Sequence, residues 1–229
     1  MHEITPQSHA FLGDCMDGMA AYPDGYFDLA IVDPPYGIGA TKRMGMRKGD
    51  KRGKWIGGEW DNKPPDKEYF TELFRVSKNQ IIWGGNYFEL PGTRCCLIWD
   101  KVQRIDQADC EIAWTSFNGS CRIFQYHNAK QIGFMNPDRF HPTEKPIALY
   151  SWILDNYAKP GDKIIDTHLG SQSSRIAAYK KGFDFWGWEI DADYYREGCE
   201  RFEKSIAMPL FENIEQPQQT KLFDPCNTL

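Results

Sequence analysis

The tetrapeptide Asp33-Pro34-Pro35-Tyr36 closes an apolar run, Phe27-Asp-Leu-Ala-Ile-Val32. Two prolines in series fix φ and remove two backbone N–H donors, leaving their carbonyls open to accept. A carboxylate, a bare carbonyl and an aromatic face together suit a flat exocyclic amine such as that of adenine. Asp33 can accept one N–H, the Pro34 carbonyl the other, and Tyr36 can stack on the ring. The lone pair of such an amine is delocalised into the ring, so it is a poor nucleophile. Two acceptors drawing on its hydrogens favour the pyramidal, nucleophilic form. Attack on a sulfonium methyl is then an in-line displacement in which positioning supplies most of the barrier reduction. A tight turn after a strand would use the same four residues, so the motif acquires meaning from what accompanies it.

A second constellation is Asp166-Thr-His-Leu-Gly170-Ser-Gln-Ser-Ser, followed by a helical stretch and a strand ending in Trp188-Glu189. A glycine at the first turn lets a ligand approach the backbone. An acid about 20 residues further on can grip ribose hydroxyls, and Glu189 stands at that distance from Gly170. The spacing G-x-G-x-x-G of a dinucleotide site is missing, because Gln172 follows Ser171, and no P-loop occurs. Asp166 suits a cofactor carrying an ammonium group rather than a phosphate, and S-adenosyl-L-methionine has that group as well as a ribose. Asp166 and Glu189 would serve equally as helix caps, and at this point both readings stand.

Both acids must be carried on the ends of strands. Apolar runs predict strands at Phe27–Val32, Gln80–Trp83, Cys95–Trp99, Cys110–Thr115, Lys163–Asp166 and Phe183–Glu189. Helical spacing predicts helices over Lys67–Val76, from Pro146 to Tyr157, over Ser173–Lys181, and after a cap at Asp191. Strand–helix alternation implies an α/β fold: a doubly wound, mostly parallel sheet with helices on both faces. The expected organisation is one domain over 1–212, with a loop insertion at about 37–66 and a substrate-recognition region at about 101–140. A flexible Gln- and Pro-rich tail follows over 213–229.

The net charge of the 229-residue chain is −5. Lys42, Arg43, Arg47, Lys48, Lys51, Arg52 and Lys54 nevertheless oppose one acid, Asp50, so that stretch is +6 and the remainder −11. Placed just after Asp33–Tyr36, it is expected to contact a polyphosphate, and these seven side chains are the candidate DNA-binding residues. Seven cysteines without a C-x-x-C pair predict free thiols in a reducing compartment. The five histidines lack H-x-x-x-H spacing, so no metal site is expected. No uncharged apolar run approaches the roughly 18 residues of a membrane span, and no signal peptide is visible, so a cytoplasmic location is expected.

With these motifs in order, the sequence resembles the DNA amino-methyltransferases. The likeness is to the permuted β class, in which the catalytic motif precedes the cofactor motif, and to its small phage- or prophage-type branch. It spans roughly Phe11 to Arg201 and rests on Asp33–Tyr36, His141-Pro-Thr-Glu-Lys-Pro146, the Asp166–Ser174 turn and Glu189. The resemblance implies a circularly permuted, Rossmann-like methyltransferase fold binding S-adenosyl-L-methionine. It implies that Asp33, Pro34, Pro35 and Tyr36 hold a flipped base. Asp166 and Gly170 would line the methionine end of the cofactor and Glu189 its ribose, and His168 and Ser171 would also bind the cofactor. Thr143 and Lys145 would close the methionine pocket. Asp14 and Cys15, within Gly13-Asp14-Cys15, would lie near the cofactor adenine, although Asp14 also reads as a helix cap. The family's usual turn is D-x-F-x-G-S-G-T; here His168 replaces the aromatic and Gln172 the second glycine. A side chain at that glycine is expected to crowd the cofactor or alter the loop.

The resemblance implies methylation of adenine N6 in duplex DNA, because D-P-P-Y usually accompanies adenine. The alternatives are cytosine N4, or a catalytically silent relative that binds DNA. A bacterial or phage-encoded, nucleoid-associated protein of restriction–modification type is the expected setting. Gln219, Leu222 and Phe223 in the tail resemble the short Q-x-x-L-F peptides that dock on bacterial sliding clamps.

Overall fold

The computed structural model describes residues 5–39, 62–102, 108–126 and 144–207. Among them, eight strands form one sheet: β1 (Ser8–Leu12), β2 (Phe27–Val32), β3 (Ser77–Trp83), β4 (Cys96–Asp100), β5 (Cys110–Thr115), β6 (Arg122–Gln125), β7 (Lys163–Asp166) and β8 (Asp184–Glu189). The helices are α1 (Cys15–Ala20), α2 (Lys67–Val76), α3 (Ile147–Tyr157), α4 (Ser173–Lys180) and α5 (Ala192–Ala207). No described helix is long and apolar enough to cross a membrane.

The spatial order is β1-β8-β7-β2-β3-β5-β4-β6. Neighbours are parallel except where β5 pairs with β3 and β4, so β5 alone runs backwards. The β2 sequence is apolar except for Asp28 near its start, because both faces are covered. Leu29 and Ile31 enter one core with Ile81, Ile164 and, from α3 and α4, Leu149, Ile153 and Ala177. Phe27, Ala30 and Val32 enter the other, with Met19 of α1 and Tyr69, Phe70, Leu73 and Val76 of α2. Two-sided burial removes the polar alternation that a half-exposed strand would show.

From β2 the chain steps across to β3, and from β7 it steps the opposite way to β8, while β2 and β7 are themselves hydrogen-bonded neighbours. Their junction is therefore the switch point at which a crevice opens beyond the carboxyl ends of the strands.

The mostly parallel sheet and the two helical layers are those predicted, and the chain has the α/β fold expected of it. The structure adds β1, α1 and β6. Their residues do not form apolar runs: Ser8–Leu12 is half exposed, α1 has one buried side chain, and β6 is a four-residue edge strand with only Phe124 buried. The strands β5 and β6 place much of 108–126 inside the sheet. The seven basic residues Lys42, Arg43, Arg47, Lys48, Lys51, Arg52 and Lys54 lie outside the described residues, as do Thr143, Gln219, Leu222 and Phe223.

Candidate active site

Three carboxylates stand at the same edge of the sheet because three adjacent parallel strands end there. Glu189 ends β8, Asp166 ends β7, and Asp33 follows β2. Asp33 and Glu189 both raise the proton affinity of Asp166, so the two motifs that sequence separates by more than a hundred residues act on one crevice.

Around Asp166 the chain turns tightly. Its carboxylate accepts the Ser174 hydroxyl at 2.5 Å and the His168 backbone N–H at 3.0 Å. Burial, with Asp33 and Glu189 adding to it, pushes this carboxyl up to about 7. Burial also drives the His168 imidazole down to about 4, so it is neutral at pH 7. Thr167 joins the same corner, bonding His168 Nδ1 at 2.9 Å and the Tyr69 hydroxyl of α2 at 2.6 Å. Gly170, at φ +46°, donates its N–H to Glu189 Oε2 at 2.8 Å, and the Asp191 N–H donates to Oε1 at 2.9 Å. Glu189 is thus a turn organiser as well as a ribose candidate, and each oxygen keeps a lone pair for a further donor.

Asp14 caps α1 by accepting the Met16 N–H at 2.8 Å, while the Gly13 N–H donates to the Glu189 carbonyl at 2.9 Å. This second bond ties the start of α1 to the end of β8. Cys15 is half-buried, and burial beside Asp14 pushes its thiol up to about 12. Ser171 bonds Ser173 at 3.1 Å, and its carbonyl accepts Arg201 of α5 at 2.5 Å.

Gln172 adopts the left-handed conformation that a glycine takes easily, at φ +59°. Its side chain, however, is wholly buried against α5 and away from the crevice, next to Gly198 and Cys199, and its Oε1 accepts from Arg175 at 2.9 Å. The turn aims its side chain at the α4–α5 contact.

Lys145, the candidate for closing the methionine pocket, has its ammonium bound to Asp33 Oδ2 and 3.1 Å from Glu111 of β5. The segment leading into α3 brings it there, and its side chain is only 3% exposed. The Tyr36 hydroxyl donates to Asp33 Oδ1 at 2.7 Å. Burial pushes the Asp33 carboxyl up, with Lys145 pulling it back. Lys145 remains protonated because two carboxylates outweigh its burial. Tyr36 stacks on half-exposed Tyr87 with ring centres 5.0 Å apart and planes 14° from parallel. Gly84, at φ +70°, admits the Tyr36 ring; a Cβ there would lie 2.2 Å from it.

Sequence reasoning missed Glu111, Lys101, Tyr87 and Gly84. The signals for Glu111 and Gly84 were an acid in an otherwise apolar strand and a Gly-Gly pair ending another.

The donor set favours a cation. Asp166 is a buried carboxylate whose partners among the described residues are a hydroxyl and a backbone N–H, with two further acids nearby and no basic side chain on it. A positively charged amino group would complete that environment. No described cluster of His, Cys, Asp and Glu has the make-up to hold a metal ion.

The profile of a family described as DNA methylase (N6_N4_Mtase) matches residues 50–200. YubD of Escherichia coli (strain K12), named as a methylase, is 27% identical over 207 residues, covering 82% of this chain and 87% of its own. Among solved structures, one is a protein named as a DNA modification methylase, from Thermus thermophilus, complexed with S-adenosyl-L-methionine. It superposes with a TM-score of 0.55 at 17% identity, covering 87% of this chain and 95% of its own. The PvuII DNA methyltransferase, cytosine-N4-specific, superposes with a TM-score of 0.55 at 12% identity over 88% of this chain and 91% of its own. These two likenesses show a shared fold.

Proposed function

The chain belongs to the N6_N4_Mtase DNA methylase family, and from that membership we propose that it methylates the N6 amine of an adenine flipped out of duplex DNA, using S-adenosyl-L-methionine. The observation that carries the reading is the placing of Asp33 and Asp166 on neighbouring strands at the switch point of the sheet.

When bound, S-adenosyl-L-methionine supplies an electrophilic methyl group on a sulfonium. Asp166 would hold its ammonium, Glu189 its ribose hydroxyls, and the Gly170 turn would let it approach the backbone. On the other side of the crevice, Asp33 and the Pro34 carbonyl accept the two amine N–H bonds, and Pro35 keeps the turn rigid. Tyr36 fixes the base plane and, as a phenol held protonated by burial beside Asp33, orients the carboxylate. A base inside a duplex does not reach such a pocket, so the enzyme takes it out of the stack. The Lys42–Lys54 stretch supplies phosphate contacts, which give affinity without sequence choice. The D-P-P-Y motif supports adenine as the target. The tail residues Gln219, Leu222 and Phe223 would dock on a sliding clamp.

The test is transfer of labelled methyl from S-adenosyl-L-methionine to mixed duplex DNA, followed by digestion to nucleosides. N6-methyladenine is expected. N4-methylcytosine would move the reading to the other amine, the target named for the PvuII enzyme of the same fold. Retained DNA binding with no transfer would leave a silent relative. The Asp33→Ala variant is expected to lose at least about 100-fold in rate while still binding cofactor; a parental rate would end the assignment of Asp33.

A further inference from the structure

Asp33 is the end of a line of four buried or half-buried charges that alternate in sign. Lys101 Nζ lies 2.7 Å from Glu111 Oε1, Glu111 Oε2 lies 3.1 Å from Lys145 Nζ, and Lys145 binds Asp33. The two outer members come from a different part of the sheet. Glu111 is the second residue of β5, the reversed strand, so it stands at the edge where the parallel strands end; Lys101 follows β4 directly. The register pairs Trp99 with Glu111, and the Lys101 N–H donates to the Asp109 carbonyl at 3.0 Å, which locks the pair on one hairpin. Each ammonium also lies over an indole: Lys101 is 5.2 Å from the Trp99 ring centre, and Lys145 is 5.5 Å from that of Trp83. Both of these tryptophans are fully buried.

A buried ion pair adds little net stability over apolar residues of the same volume, so stability alone does not account for four charges in a row. Their effect falls on the last member. A carboxylate wholly paired with an ammonium is a weak acceptor for a further N–H. Glu111 shares the ammonium, which lies closer to Asp33, and competes with Asp33 for its charge. Lys101 in turn keeps Glu111 from taking it entirely.

We propose that Glu111 and Lys101 are positioning residues for methyl transfer: they hold the Lys145 ammonium between two carboxylates and thereby set how strongly Asp33 accepts the N–H of the target amine. This rests on the reaction proposed above for Asp33.

Asp33 is faced by Lys145 and Tyr150 from α3 and its approach, Glu111 from β5, Tyr36 from its own turn, Asp166 from β7 and Tyr69 from α2. Substituting Glu111 or Lys101 leaves the others in place. The experiment titrates the 13C-labelled Asp33 carboxyl by NMR, its signal assigned with Asp33→Asn, in the full chain without DNA or cofactor. Glu111→Gln removes a negative neighbour and leaves Lys145 to Asp33, so the midpoint is expected to fall by about half a pH unit or more. Lys101→Met lets Glu111 draw Lys145 away, so the midpoint is expected to rise by a similar amount. Because Lys101 acts through Glu111, the double variant is expected to titrate like Glu111→Gln, below the parent.

Shifts of opposite sign support the proposal; no shift, or shifts in one direction, overturns it. Should Glu111→Gln fail to fold, Lys101→Met and the double variant still carry the sign. In turnover, Glu111→Gln is expected to lower kcat at least about tenfold with cofactor affinity within twofold, and an unchanged kcat beside an active parent also overturns the proposal. A parent that methylates no DNA would remove the proposed reaction, while the titration still reads the four-charge arrangement.

Discussion

Asp166 is the side chain proposed above to hold the ammonium of the cofactor. It is a carboxyl at about 7, buried, bonded by a serine and a backbone N–H, and close to two other acids. Below that value it is mostly neutral, and a cation bound beside it must first expel the proton. Affinity for S-adenosyl-L-methionine is therefore expected to rise with pH, by up to about tenfold per unit, and to level off above pH ~7. Asp166→Asn should bind more weakly and lose this slope. Calorimetric titration at pH 5.5, 6.5 and 8 checks both statements, and a slope that survives Asp166→Asn would assign it to another group. Asp33, Asp166 and Glu189 were all legible in the sequence, because each ends an apolar run and strand ends are where ligands meet such sheets. The place of Lys145 was not legible. Its motif gives its chemistry but not its partner, and the partner is decided by where the approach to α3 crosses the strand edge. The sequence flagged Glu111 as an acid in an apolar strand but not its place, for a related reason. A single acid in Cys110-Glu-Ile-Ala-Trp-Thr115 reads as an ordinary outward position until the reversal of β5 puts it at the crevice.

At the scale of elements, the turns decide the geometry. Gly84 ends β3 at φ +70°, and its missing Cβ is the space in which the Tyr36 ring lies. Gly84→Ala adds a left-handed strain of about 1 kcal/mol and pushes Tyr36 aside. Methyl transfer is expected to fall at least about tenfold with an unchanged far-UV spectrum and intact cofactor binding; a parental rate would show that Tyr36 tolerates displacement. The turn into α4 has a different origin. Gln172 accepts the cost of φ +59° because its side chain fills the α4–α5 contact and holds Arg175, which in turn reaches Ser8 of β1. Gln172→Gly relieves the backbone strain but empties that contact and strips a buried hydrogen bond from Arg175. A net loss of about 1–3 kcal/mol is expected, read as a lower midpoint in thermal or urea unfolding. A stabilised variant would mean the backbone strain dominates. The departure from glycine could be read in the sequence, whereas the direction of the side chain could not: at that turn, the handedness of one residue decides whether its Cβ faces ligand or helix.

At the scale of the whole molecule, affinity for DNA and chemistry on the base are expected to be separable. The net charge is −5, yet the Lys42–Lys54 stretch carries +6. Replacing Lys42, Arg43, Arg47 and Lys48 with glutamine is expected to weaken duplex binding and to lessen its salt dependence, by about 0.9 in log–log slope for each phosphate no longer neutralised. Cofactor affinity should not change; fluorescence anisotropy at several salt concentrations checks this, and an unaltered slope would take those residues off the DNA. The amino-acid sequence by itself determined the layered α/β class and most strands and helices, and it put Asp33, Asp166 and Glu189 at strand ends. It could do so because burial on two faces leaves unbroken apolar runs, and because turns demand particular residues. Only the tertiary structure decided which acids share a crevice, that Lys145 sits on Asp33, and that the β4–β5 hairpin brings two more charges to it. Strand order and strand direction set those distances, and both arise from long-range packing that leaves no mark in the local sequence.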